Sequence, residues 1–342
     1  MGITKRAANA MPGRMWPSTL VLVCCLCFIV RGGAQQAAPA SPPAKVPAAH
    51  APENEAGEQG QEPIPGDWAA ELLDGILSAP DAEAGDSLFR AAFAAGPGII
   101  PQLSDALKDD RTAEFAAQSL AFIGGDRAMQ VLWKLQADKR DLNLRRFCYG
   151  ALAEYDTEQA NQTLFQVIQK SDAEPDRTVT EAAILALTVR TGPEVPSAIR
   201  QVMKSVNDVV IRDDLENALD VIQIRSKYLS TPEGKKAGGS VEATVRTYFI
   251  PALQPPPPSK ADIEAHRAPA KPDVKLEIEN LTFAPDRQRA LAAVTLEDPS
   301  AIANYDLVLQ KRLGNWEVVS VWLGGEAEKP APPLPPKPSE DE

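Results

Sequence analysis

Between residues 67 and 229 apolar side chains recur three and four positions apart, and Gly, Pro or Asp breaks the pattern every 12 to 16 residues. A 3.6-residue period interrupted that often predicts a run of short helices. The helices alternate in character. One set carries an apolar stripe ("IIPQLSDAL", "AMQVLWKL", "TLFQVI", "AIRQVM"). The other set follows an aspartate, Asp110, Asp141, Asp176 or Asp208, placed to cap "RTAEFAAQSL", "LNLRRFCYGAL", "RTVTEAAILAL" or "VVIRDDLENAL". After residue 240 the period changes. "VEATVRTYFIPAL" reads as a helix and a Pro-rich loop follows at 254–272. Then "VKLEIENLTF", "RALAAVTLE", "AIANYDLVLQKR" and "NWEVVSVWL" alternate as strands do. The short connection "LGN" at 313–315 predicts a hairpin between the last two. The expected chain is multidomain: an all-α unit over 66–229, a linker over 230–240 ("STPEGKKAGGS"), and a small α+β domain with an antiparallel sheet over 241–325.

The helical part repeats itself. Aligning "SLAFIGGDRA" at 119, "ALAEYDTEQA" at 151 and "ALTVRTGPEV" at 186 sets Leu120, Leu152 and Leu187 in register, 32 and 35 residues apart. Repeats of that length imply helix pairs stacked as a solenoid. The block from about 90 to 229 resembles the HEAT-repeat family, particularly its short repeats of the phycobiliprotein-lyase type. The family's aspartate followed four residues later by arginine stands here as Asp141/Arg145 and Asp208/Arg212, with Thr180 in the arginine's place in the unit of Asp176. The resemblance implies a structural ladder of these pairs between neighbouring repeats. The ending "YDLVLQKRLGNWEVVSVWL" resembles the closing hairpin of the cone-shaped superfamily of nuclear transport factor two and the SnoaL-like cyclases, over about 240–324. That resemblance implies a sheet wrapped over a helix and, in members that are enzymes, a buried Asp/His pair.

Charge and the termini supply an address. The formal net charge of −12 disfavours nucleic acid and anionic lipid as partners. Lys5, Arg6 and Arg14 precede the apolar run "STLVLVCCLCFIV" at 18–30, and Gly32 and Ala34 have the spacing that signal peptidase prefers. Residues 1–34 therefore read as a signal peptide cleaved after Ala34, which would export the remainder to the periplasm or beyond, with no stable membrane insertion. A retained anchor is the alternative, although a spanning helix needs about 20 apolar residues. The rest keeps one cysteine, Cys148, so no internal disulfide is available to it. In the helical stretch "RRFCYGAL" Cys148 reads as a core residue. Residues 35–65 and the acidic, Pro-rich stretch 326–342 carry too little aliphatic bulk to offset the entropy of ordering, and read as a disordered tether and tail.

Candidate chemistry is sparse. The two histidines, His50 and His266, fall in the tether and the Pro-rich loop, so neither predicted folded unit offers one to a triad or a zinc site. No catalytic, metal-binding or cofactor-binding residue is predicted. Tyr248, Phe249, Tyr305, Trp316 and Trp322 are candidates to line a ligand cavity, or else a packed core. With Tyr305 inward, strand alternation turns Asp306 outward. Gly124, Gly125 and Asp126 in "FIGGDRAMQVLWKL" suggest a phosphate loop, but GxGxxG and GK[ST] spacing are both missing. The stretch reads instead as a glycine ending one helix and Asp126 capping the next. Two functions follow: an exported, non-enzymatic module that binds another extracytoplasmic protein, or binding or turnover of a small apolar molecule in the C-terminal domain.

Overall fold

The computed structural model describes residues 82–329 and a few positions between 71 and 78, except 139, 141–142, 175 and 256–271. The expected signal peptide and tether, His50, His266, Asp141 and the tail from 330 onward lie outside the described residues.

Between Ala82 and Leu229 run α1 (Ala82–Ala95), α2 (Ile100–Ala106), α3 (Ala113–Ile123), α4 (Gly125–Leu132), α5 (Arg145–Ala151), α6 (Glu158–Gln169), α7 (Arg177–Thr188), α8 (Val195–Met203) and α9 (Val209–Leu229). Helices α3, α5, α7 and α9 pack side by side in one row, and each rests on the helix before it: α2 on α3, α4 on α5, α6 on α7, α8 on α9. Alanines permit this closeness. Ala116, Ala117, Ala183 and Ala218 are all buried in the row, as are the aligned Leu120, Leu152 and Leu187.

Capping follows the aspartates only in part. The Asp176 carboxylate accepts from Thr178 N at 3.0 Å, and that of Asp208 from Val210 N at 2.8 Å and Ile211 N at 3.3 Å. Asp110 does not cap α3. The residue at the cap is Thr112, whose hydroxyl is drawn back to Ala106 O at 2.8 Å, while Asp110 accepts from Arg140 Nη1 at 2.8 Å.

Beyond α9 the segment 230–240 is not a free spacer. Gly234–Gly239 form a 3-10 helix, with Gly234 and Ala237 buried, that packs on α9, on the helix after it and on the last strand. Helices α10 (Val241–Tyr248) and α11 (Ile250–Leu253) precede β1 (Lys275–Phe283), β2 (Arg289–Glu297), β3 (Ala301–Arg312) and β4 (Asn315–Glu328), an antiparallel meander in chain order. The β3–β4 turn holds Leu313 and Gly314 at positive φ, as a two-residue hairpin requires.

Both faces of this sheet are covered. Ala292, Val294, Tyr305, Leu307 and Val321 join one core with α6 to α11, whereas Leu291, Val308, Val319 and Trp322 join a second core with α1 to α5. Helices and sheet therefore share their hydrophobic interiors, and β4 runs against α5, α7 and α10.

Candidate functional site

The glycines that suggested a phosphate loop lie at the junction of helices and sheet. Gly124 ends α3 with φ 65° and ψ −162°, a conformation open only to glycine, and a Cβ there would overlap the side chains of Glu154 and Arg289. The expected cap is corrected: α4 begins at Gly125, so Asp126 sits inside the first turn and makes no cap bond. Its carboxylate accepts from Tyr155 Oη at 3.1 Å. Glu154 is the connecting group. It accepts from Gly125 N at 3.2 Å and pairs with Arg289 of β2 at 2.5 Å, both side chains being largely buried.

Arg289 belongs to a series. Its Nη2 donates to Phe122 O at 3.3 Å, at the end of α3. Arg190 donates to Leu152 O at 2.8 Å and Ala153 O at 3.0 Å just beyond α5, and Arg225 donates to Thr188 O at the end of α7. Each guanidinium thus meets helix-terminal carbonyls, where the helix dipole is negative. Of the predicted Asp/Arg ladder, the Asp141/Arg145 pair is not described, because Asp141 lies outside the described residues. Arg145 reaches across to Glu174 in a two-bonded pair at 2.7 and 2.9 Å, Asp208 is a cap, and Arg212 is exposed and forms no ion pair with it. Four-residue spacing cannot reveal the observed series, because its three arginines come from a strand, a loop and a later helix.

The five aromatics named as candidates for one cavity, or else a packed core, are not all brought together. Tyr305 packs on Phe249 with centroids 5.2 Å apart, and Phe249 meets Tyr248 edge-on at 5.1 Å, so these three fill core. Trp316 lies farther along the same sheet face, against Phe283 at 6.1 Å. Trp322 is on the opposite face, between Phe122 and Phe147 at 5.8 Å each, over Gly150, where a Cβ would overlap its ring. Trp322 follows Trp316 by six positions, an even offset that keeps both on one face of an unbroken strand. A bulge intervenes: Leu309 pairs with Val318 but Val308 with Ser320, leaving Val319 extra and reversing the alternation.

That reversal builds a groove. A cleft of about 800 Å³ opens between the helix row and the second half of β4, floored by Phe147, Gly150, Ile184, Leu185, Val321 and Trp322. Glu114, Glu181, Asp214, Asp306, Glu326 and Glu328 rim and line it, against one lining cation, Arg146. Burial, reinforced by Glu181 and opposed by Arg177 at 4.0 Å, pushes the Asp214 carboxyl up to about 7. Burial pushes Asp306 up to about 6, with Asp86 of α1 adding to the rise and Arg90 opposing it. Asp306 does point away from Tyr305, as alternation requires, but helices cover that face, so the residue meets protein where sequence reasoning placed water. Cys148 is buried, and burial raises its thiol far above the ordinary range. Among the described residues no cluster of His, Cys, Asp and Glu is placed to hold a metal ion, and no helix is long and apolar enough to cross a membrane.

The chain matches no protein-family model and no curated protein.

Proposed function

We propose that this chain is an exported, non-enzymatic interaction scaffold built on HEAT-like repeats, and that its groove takes an extended, basic segment of an extracytoplasmic protein partner. The observation that carries the reading is the groove's composition: an apolar floor lined by six acidic side chains, of which Asp214 and Asp306 are drawn toward the protonated form by burial, and one arginine. Such a surface favours alternating apolar and cationic side chains, because apolar burial supplies affinity while the carboxylates select positive charge. Side-by-side packing of α3, α5, α7 and α9 supports the repeat reading, since stacked helix pairs present one continuous surface for binding. Export is supported by the apolar N-terminal run behind Lys5, Arg6 and Arg14. The non-enzymatic part rests on the sequence, which has two histidines, both in segments predicted not to fold. An apolar ligand held jointly by Tyr248, Tyr305, Trp316 and Trp322 has no geometric support, because the last lies across the sheet from the others.

Affinity capture tests the proposal, using residues 35–342 as bait beside a variant carrying Glu114→Lys and Glu328→Lys, two exposed rim positions. A protein retained by the parent and lost from the variant, with retention that weakens as salt rises, is the expected result. Equal capture by both, or none by either, would count against it.

A further inference from the structure

The first half of β4 borders a different cleft. A pocket of about 390 Å³ lies among the helix ends, the Gly234–Gly239 turn, α10 and the β3–β4 hairpin, and its lining includes Arg190, Arg225, Lys235, Tyr248, Arg312 and Trp316. Two of these cations are buried, Arg190 at 3% and Arg225 at 7% exposure. Most of the pocket's opposite charges are already committed. Glu154 is paired with Arg289 at 2.5 Å, Asp156 stands 3.7 Å from Arg190, and Glu317 stands 3.7 Å from Arg312. Arg225 has no carboxylate partner among the described residues. Its Nη1 is bound to Thr188 O, its guanidinium carbon lies over the Tyr248 ring 4.7 Å from the centroid, and its Nε is buried and hydrogen-bonds to nothing. A guanidinium stays charged in proteins, so a buried one without a counter-ion is costly unless something else neutralises it.

We propose that this pocket binds a small organic carboxylate, with Arg225 as its principal anchor and Trp316 beside the organic body. The planar, delocalised cation selects the ligand: Nη1 is committed to Thr188 O and Nε is closed off from solvent, so a carboxylate in the pocket supplies the counter-ion that the buried guanidinium lacks. Glu154, Asp156 and Glu317 in the same lining repel a dianion more strongly than a monoanion, which disfavours phosphate. Helix capping accounts for Nη1 of Arg225 and both Nη atoms of Arg190, but Nε of each is left without a partner. This inference does not depend on the acidic groove, which is lined by other residues.

The test uses the full chain with benzoate, acetate and inorganic phosphate at matched ionic strength. Benzoate should raise the melting temperature saturably, by about 2–4 °C at concentrations well above its Kd, should slow amide exchange around 225–248, and should act more strongly than acetate or phosphate. Arg225→Lys, which keeps the charge and loses the planar guanidinium, should weaken benzoate binding by roughly tenfold or more. Lys235→Ala, at an exposed rim position, should fold normally and weaken it by about twofold to fivefold. If Arg225→Lys does not fold, the wild-type exchange data and Lys235→Ala still decide. No saturable benzoate effect on the wild-type chain, protection located elsewhere, or phosphate acting more strongly than benzoate would overturn the proposal.

Discussion

The two halves of β4 face opposite electrostatic surroundings. Residues 321–328 border a groove rimmed with carboxylates, whereas 315–319 border a pocket that holds two buried arginines. One helix row supplies both. The groove is made by the flanks of α3, α5, α7 and α9, where Glu181 and Asp214 project from within their helices and Glu114 from the first turn of α3, all of them away from the helix C-termini. The pocket is made where the row ends, and helix C-termini expose carbonyls that attract arginine. Position along a helix thus decides the sign: sides can carry any charge, while a buried C-terminal end selects cations. The β4 bulge marks the border, since Val319 is its extra residue and Trp322 beyond it points to the other face.

The comparison is broken most severely at Trp322. Trp322→Ala removes the ring that fills the space over Gly150 between Phe122 and Phe147, and should cost about 3–5 kcal/mol in chemical denaturation. A loss under about 1 kcal/mol would mean that this face of the sheet is not docked as described.

Asp214 sharpens the acidic side. Its folded carboxyl is raised to about 7, above the unfolded value near 4, chiefly by burial and then by Glu181. The native state therefore holds a proton that the unfolded chain has released. The stabilisation from this group is complete below about pH 4 and is lost as pH rises through about 7. Asp214→Asn should flatten that dependence and raise stability at pH 8 by roughly 1–4 kcal/mol, with little change at pH 4. Denaturation of both proteins at the two pH values measures it, and equal stabilities at pH 8 would contradict the assignment.

Glu154 ties the pocket to the sheet, since it lines the pocket and clamps Arg289 of β2 beside Gly124. Glu154→Ala leaves Arg289 largely buried without its partner and should cost about 1–3 kcal/mol. In a double-mutant cycle with Arg289→Ala the coupling should be at least about 1 kcal/mol, and additive losses would show that the pair does not hold sheet to helices.

Asp126→Ala should have the smallest effect, about 0.5–1 kcal/mol, from the loss of a first-turn acid and the bond from Tyr155. Tyr155→Phe should reproduce part of it. A loss near 2 kcal/mol or more in Asp126→Ala alone would point to a role beyond these contacts.

Much of the architecture was legible because it depends on local periodicity. All four strands fall on the alternating runs, with β4 extended to Glu328, and α10 and α11 lie within "VEATVRTYFIPAL". Asp176 and Asp208 cap as their positions predict, because an N-cap bond spans only two or three residues. The candidate sites were much less legible. The aromatic grouping failed at one extra residue in β4, and neither the spacing of tryptophans nor the composition of the strand signals a bulge. Asp306 was turned to the correct face, but what covers that face is a helix from 220 residues earlier in the chain.

By itself the sequence determined the element types, the meander order and the absence of histidine from the predicted folded units, since each depends on residue identity or on neighbours a few positions away. Only the tertiary structure decided that both sheet faces are buried, that arginines from a strand, a loop and a helix end the rungs of one row, and that β4 divides an acidic groove from a basic pocket. Those arrangements arise from contacts between residues 29 to 167 positions apart. At such separations packing and helix-end electrostatics select the partners, and no local pattern encodes the choice.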